Sequence, residues 1–317
     1  GAGNSEGFLD VWSALEAQDQ YECIEWAAQQ PWCNGKVGLN GISYYAMNQW
    51  QTAALQPPHL AAMCAWEGAS DYYRELCRHG GILSDFFGGW YLRQVKSVQY
   101  GVGDRAEKNP NNGRSVAGDL NLSDEELAQR RAASDISIQN REWMDDDYRS
   151  RIPDLSRIKA PVLSAGNWGG VGLHPRGNFE AFTRAATSQK WLEVHGIEHW
   201  THFYTNYGLA LQKKFMGHFL KGEKTGWENM PKVLLQVRHP GEKFVERHEN
   251  EWPLKRTQWT RYYLDLQKTP SSADGPRTGD LLSQAPIQPA SCTYPVLTKG
   301  SMGSSSAASS QVMGGGI

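Results

Sequence analysis

A short apolar stretch at residues 36–39 leads into Gly41-Ile42-Ser43-Tyr44-Tyr45, and helical spacing follows from about residue 45 to 55. A strand that turns this sharply into a helix holds the serine at its apex out of the sheet edge. The backbone N–H of the next residue, Tyr44, is then placed to donate to an oxyanion. Small residues beside the serine let such a turn close. Gly41 supplies the first, and Tyr45 stands where a second glycine is usual. Taken alone, the pattern fits either a nucleophile or a buried structural serine at a strand end.

The surrounding chain supports a parallel sheet. Helical spacing runs over residues 14–29, and Pro31 with Asn34-Gly35 stops it before the strand at 36–39. Pro57-Pro58 ends the helix after Ser43, and a second apolar strand at 61–66 closes on Glu67-Gly68. Strand, helix and strand at this spacing predict α/β architecture. Residues 71–155 interrupt the alternation with charged and aromatic helical stretches near 83–97 and 123–133, read as a cap inserted over a site. Strands at 161–165 and 191–194 and a helix over 204–220 resume the core. From residue 226 the alternation at 232–237 and 259–264 reads as the start of a β-sandwich, left incomplete by a Ser/Pro/Gly-rich tail. The predicted division is 1–70 and 156–225 for the core, 71–155 for the cap, 226–266 for the sandwich and 267–317 for a disordered tail.

A net charge of −2 argues against nucleic acid or an anionic membrane surface as the main partner. No apolar run approaches the ~20 residues of a membrane span. Cys23, Cys33, Cys64, Cys77 and Cys292 are odd in number and form no CxxC pair. They read as reduced thiols, which points to a cytoplasmic location.

A nucleophilic serine needs a base, and in the chain order serine, acid, histidine the base follows the last core strand. His195, His199 and His202 all lie just after the strand at 191–194. His199 has the loop length to reach back over the sheet edge. The three could instead be core or surface histidines. Their spacing also raises metal ligation, but no carboxylate or thiol pattern accompanies it, and no metal or other cofactor is expected.

Together, Cys33-Asn34-Gly35-Lys36-Val37-Gly38, Gly41-Ile42-Ser43-Tyr44, Asn48-Gln49-Trp50, Ala69-Ser70-Asp71-Tyr72-Tyr73-Arg74, residues 158–168 and Gly196 to His199 resemble the cocaine-esterase/X-prolyl dipeptidyl-peptidase family of serine hydrolases. The resemblance covers roughly residues 1–265. It implies an α/β-hydrolase core with a helical cap and a C-terminal jelly-roll sandwich, and acyl transfer from ester or amide to water through an acyl-enzyme. It also implies that the first sheet strands lie upstream of Gly1, together with a tyrosine hydroxyl that would be the second oxyanion donor.

One position departs from that family. Its catalytic aspartate stands two residues after a tryptophan at a strand end, and here Asn167-Trp168-Gly169-Gly170 puts Gly170 there. The preceding strand ends nearby, which makes Glu67 the candidate replacement; Glu180 and Glu198 are less well placed. The predicted catalytic set is Ser43, His199 and Glu67, with the Tyr44 N–H in the oxyanion hole. A capping or salt-bridging role for Glu67 is the alternative. Trp66, Tyr72, Tyr73, Phe86, Phe87, Trp90 and Tyr91 are candidates to line an acyl site or to form cap core. Glu67, Asp71 and Asp85 are the carboxylates available to clamp a peptide's free amine. A small ester, amide or short peptide is the expected substrate, with esterase chemistry preferred. A silent homologue that only binds small acyl ligands is the reading from a different class.

Overall fold

The computed structural model describes residues 1–84, 86–170, 173–241, 243–265, 280–289 and 291. They fall into two units, Gly1–Trp252 and a second beginning at Pro253. The first is built on a six-stranded sheet of β1 (Val37–Ile42), β2 (Leu60–Trp66), β3 (Val162–Asn167), β4 (Lys190–His195), β5 (Val233–His239) and β6 (Lys243–Glu249). They lie side by side in chain order. β1 to β5 pair in parallel, and β6 closes the far side antiparallel to β5.

Four helices cover the two faces: α1 (Ala14–Ala28), α2 (Tyr44–Ala54), α3 (Pro175–Arg184) and α4 (Asn206–Lys221). The Ser13 hydroxyl caps α1 by accepting from the Glu16 N–H at 3.2 Å. α4 stops at Gly222, whose φ of 67° is the left-handed conformation that glycine adopts without a Cβ penalty.

β2 shows why the strand composition is apolar throughout. Met63 and Ala65 face Ala46, Trp50 and Ala53 of α2 and Ala181 of α3. Ala62, Cys64 and Trp66 alternate to the other face, against Leu211 and Phe215 of α4 and Trp227. A parallel strand buried on both sides reads as a continuous hydrophobic run. Trp50 is fully buried, and truncating such a side chain to alanine typically costs about 3–5 kcal/mol.

Residues 71–155 carry short helical turns, including Phe86–Trp90, Tyr91–Val95 and Asp124–Gln129, and a short antiparallel pair, Arg78–His79 with Ile82–Leu83. Ser123 and Glu126 form a reciprocal capping box at the last of these. Tyr72, Phe87 and Tyr91 pack with Trp12 and Met47 in one buried cluster.

The segment expected to open a β-sandwich at residue 226 behaves differently. Val233–His239 extends the main sheet beside β4, and Lys243–Glu249 pairs with it. Alternation over a few residues fits an outer strand of a mixed sheet as well as a sandwich strand, because each buries one face. The second unit contains the antiparallel pair Tyr263–Asp265 and Asp280–Leu282. The predicted tail at 267–317 lies almost wholly outside the described residues, as does Cys292.

Candidate active site

Ser43 sits between β1 and α2 with φ 59° and ψ −114°. A non-glycine residue held at positive φ is strained by about 1–3 kcal/mol and persists only where its surroundings over-determine it. Here the Ser43 N–H donates to Trp66 O at 2.9 Å, while Ser43 O accepts from Ala46 and Met47. A Cβ on Gly41 would lie 2.5 Å from the Tyr45 Cβ, so the close approach requires glycine there. Tyr45 tolerates the position of the usual second glycine because it is 70 % exposed and points outward. The Tyr44 N–H is in the first turn of α2, where an α-helix offers no acceptor of its own. The Tyr44 ring stacks on Trp12, and its hydroxyl donates to Glu16 at 2.7 Å.

Glu67 ends β2, next to the end of β3. It has positive φ and is fully buried. One carboxylate oxygen accepts from His199 Nδ1 at 2.6 Å and from Asn167 Nδ2 at 3.3 Å. The other accepts from His195 Nε2 at 3.1 Å. Burial alone would raise this acid, but the hydrogen bonds and charges of His195 and His199 outweigh it and hold the group well below the usual carboxylate range.

His195 lies between two carboxylates, with Nδ1 2.7 Å from Glu193 and Nε2 on Glu67. Burial opposes its charge, yet the Glu193 and Glu67 interactions prevail and push it up to about 10. The two carboxylates favour its imidazolium form. His202 stacks over His195, bonds to Gln236 at 3.0 Å and is pushed down to about 4 by burial and by the His195 charge. Of the three histidines, His195 at the end of β4 bonds Glu193 and Glu67, His199 shares Glu67, and His202 bonds Gln236. Among the described residues no group of His, Cys, Asp and Glu side chains forms a metal-binding cluster.

The loop carrying His199 turns through Ile197 and Trp200, both at positive φ, and Asn167 Nδ2 fastens it by donating to Ile197 O at 3.1 Å. The expected Glu67–His199 contact is thus present. The expected Ser43–His199 hydrogen bond is not formed among the described residues. The Ser43 hydroxyl instead lies 3.1 Å from Nε2 of His174, and the His174 ring stacks on His199 with centroids 5.2 Å apart. His174 is the N-cap residue of α3 and is 2 % exposed. Burial, reinforced by His199, pushes its pKa down to about 3.

Sequence reasoning missed His174, which is 131 residues from Ser43. The available signal was a histidine before proline at a helix start, four residues beyond the vacant acid position Gly170. α3 is pinned where it delivers this residue. Buried Asn178 accepts from the Gly68 N–H at 3.0 Å and donates to Ala65 O and to Ser164 Oγ. The Gly177 Cα faces the backbone of Gly68, Ala69 and Ser70, where a Cβ would collide.

Of the aromatic candidates, Trp66 belongs to the core against Phe203 and His195, away from any open surface. Tyr72, Phe87 and Tyr91 are also buried; Tyr73, Phe86 and Trp90 are partly exposed around them. Among the amine-clamp candidates, Asp71 is bound by Arg74 at 2.6 Å and Glu67 is committed to histidines. Asp85 lies outside the described residues. A cavity of about 510 Å³ opens beside the His174 segment, lined by Leu173, Pro175, Arg176, Glu75, Tyr73 and Arg74 among others.

The chain is similar to several known proteins. The chain is 26 % identical to cocaine esterase from Rhodococcus sp. (strain MB1 Bresler) over 286 residues, which is 78 % of this chain and 47 % of that protein. A crystal structure of a CocE/NonD family hydrolase from Staphylococcus aureus superposes with TM-score 0.70 at 35 % identity, over 83 % of this chain and 43 % of that one. An α-amino acid ester hydrolase shares the fold, with TM-score 0.53 at 13 % identity over 75 % of this chain and 42 % of that one. The chain therefore spans less than half the length of each of these relatives. The profile of the X-Pro dipeptidyl-peptidase (S15) family matches residues 1–204, more than half of the chain, and the protein belongs to that family.

Proposed function

We propose that this chain carries the acyl-transfer centre of a serine hydrolase acting on small ester or amide substrates. Ser43 is the nucleophile, His199 the general base, Glu67 the acid that orients His199, and the Tyr44 N–H one oxyanion donor. The observation that carries this reading is the 2.6 Å hydrogen bond from His199 Nδ1 to buried, ionised Glu67. It puts the proton of neutral His199 on Nδ1 and leaves Nε2 as the lone pair that a serine proton requires. The strained elbow at Ser43 supplies the second half of the geometry.

In this mechanism Ser43 Oγ adds to the substrate carbonyl carbon and its proton passes to His199 Nε2. The carbonyl electron pair moves to oxygen, beside the Tyr44 N–H. Collapse expels the leaving group, which takes the proton from His199. Water then repeats the sequence on the acyl-enzyme.

An ester is the favoured substrate. Asp71 and Glu67 have their oxygens engaged by Arg74 and by histidines, so neither is free to clamp a peptide's ammonium group. The similarity to cocaine esterase and to a CocE/NonD hydrolase is in keeping with that choice. Incubation with a fluorophosphonate probe and intact-mass readout tests the proposal. Wild type should gain one adduct, and Ser43→Ala and His199→Ala should gain none. A folded wild type that stays unlabelled refutes it and favours a silent homologue.

A further inference from the structure

Ser43 is hydrogen-bonded to His174, the His174 ring stacks on His199, and of these two histidines only His199 bonds a carboxylate. We propose that His174 is a second catalytic residue, a neutral hydrogen-bond donor to the reacting serine oxygen, while His199 alone moves the proton. The inference rests on the serine-hydrolase reading above and assigns a role that the Ser43–His199–Glu67 set leaves unfilled.

The hydrogen-bond inventory assigns the two tautomers. His199 spends its Nδ1–H on Glu67, which leaves Nε2 bare. Among the described residues His174 has one hydrogen-bond partner, Ser43 Oγ at Nε2, and its buried Nδ1 has none. A neutral imidazole carries one proton. On Nδ1 that proton would be an orphaned buried N–H, the less tolerated kind of unsatisfied group. On Nε2 it donates to Ser43, so that the Ser43 O–H remains available to His199. The proposal gives the stacked rings complementary parts: His174 donates to the serine oxygen, and His199 is the ring that takes the serine proton during the reaction.

Charge separates the roles further. If His174 took the serine proton, a buried cation would form without a carboxylate bonded to it, stacked on His199. If His199 takes it, the cation forms on a ring already bonded to ionised Glu67. His174 is held down to about 3, mainly by burial, in keeping with a ring that stays neutral throughout.

During attack, Ser43 loses its proton to His199 Nε2 as Oγ bonds to the carbonyl carbon. The full negative charge falls on the former carbonyl oxygen beside the Tyr44 N–H, and Oγ carries a partial, transient charge while its O–H bond breaks. The His174 Nε2–H lies 3.1 Å from Oγ and donates to this charge without transferring its proton. On collapse the C–leaving-group bond breaks, the leaving group departs with the pair and the His199 proton, and His174 is unchanged. It acts on Oγ, while the Tyr44 N–H serves the former carbonyl oxygen.

The test uses the full chain with p-nitrophenyl butyrate and a fluorophosphonate probe, comparing wild type, His174→Gln, His174→Ala and His199→Ala. Removing the donor to Oγ should lower kcat by roughly 10–100-fold in His174→Ala, the worth of a hydrogen bond to a charged atom, with little change in KM. Glutamine keeps a neutral N–H near Nε2, so His174→Gln should recover most of the loss in both turnover and probe labelling. His199→Ala should abolish both. Restoration by glutamine separates donation from packing, and if the alanine variant unfolds, the glutamine variant alone decides. A folded His174→Gln as inactive as Ser43→Ala overturns the proposal. So does labelling that survives in His199→Ala but not in His174→Gln, which would make His174 the base. Wild-type rates in His174→Ala reduce the residue to packing. An unlabelled, folded wild type instead removes the hydrolase reading on which the proposal stands.

Discussion

Glu67→Gln removes a charge while keeping a shape, and its consequences can be worked from the bonds Glu67 makes. The wild-type carboxylate is acceptor-only and satisfies His199, His195 and Asn167 together. An amide offers one oxygen and one NH₂. If its oxygen faces His195, its N–H meets His199 Nδ1, and that ring must shift its proton to Nε2, where it blocks acceptance from Ser43. If its oxygen faces His199, its N–H opposes the imidazolium of His195, which then keeps only Glu193. Either orientation loses one charge-assisted hydrogen bond, worth about 1.5–3 kcal/mol. In a folding unit of roughly this size that corresponds to a fall in Tm of about 3–12 °C. Turnover should suffer more, because forcing the wrong histidine tautomer in a comparable triad costs about 10⁴ in kcat. Steady-state hydrolysis of p-nitrophenyl butyrate, with Ser43→Ala as baseline and thermal melts in parallel, reads both quantities. A Glu67→Gln variant that melts with the wild type, or keeps its turnover and pH profile, would refute the role assigned to this carboxylate.

Two further outcomes follow from the packing. Gly177→Ala would drive a Cβ into the Gly68–Ser70 backbone, so α3 must move and carry His174 with it; overpacking typically costs about 1–3 kcal/mol. Urea unfolding should show that loss together with slower probe labelling, and an unchanged labelling rate would mean α3 does not set the position of His174. Glu75, buried beneath Arg176, is raised by burial to about 7 despite the backbone hydrogen bonds and the Arg176 bond that favour its charge. A carboxyl raised on folding contributes stability that is present below its unfolded pKa and is lost as pH rises through the folded value. Stability should therefore decline between about pH 4.5 and 7, and Glu75→Gln should flatten that segment of the denaturation profile; an unaltered slope would assign it to other groups.

Much of the core was legible because parallel strands announce themselves in short apolar runs. The stretches at 61–66, 161–165 and 191–194 fall on β2, β3 and β4. Ser43 was visible for the same reason: the elbow is a local feature spanning one strand and one helix. The Glu67–His199 contact needed one nonlocal step, that the second and third strands are neighbours, and their pairing from Met63–Val162 to Trp66–Ala165 supplies it. His174 had no such handle. Its contact with Ser43 depends on how α3 is clamped by Asn178 and Gly177, and no periodicity encodes that. The reading of residues 226–266 as the start of a sandwich rests on alternation, which does not say which strand a segment pairs with. Val233, Leu234 and Leu235 continue the main sheet on register partners from β4, a fact carried by pairing rather than by composition.

The end of β2 has a consequence for how the protein loses function. Trp66 O holds the Ser43 N–H, the next residue is Glu67, and Ala65 O with the Gly68 N–H holds Asn178 of α3. Nucleophile, acid and the helix that carries His174 are therefore all measured from the same few residues of one strand that is bracketed on both sides. A displacement there carries the three along together instead of pulling them apart. Catalytic competence then goes in a single step, with the strand, and not one group at a time.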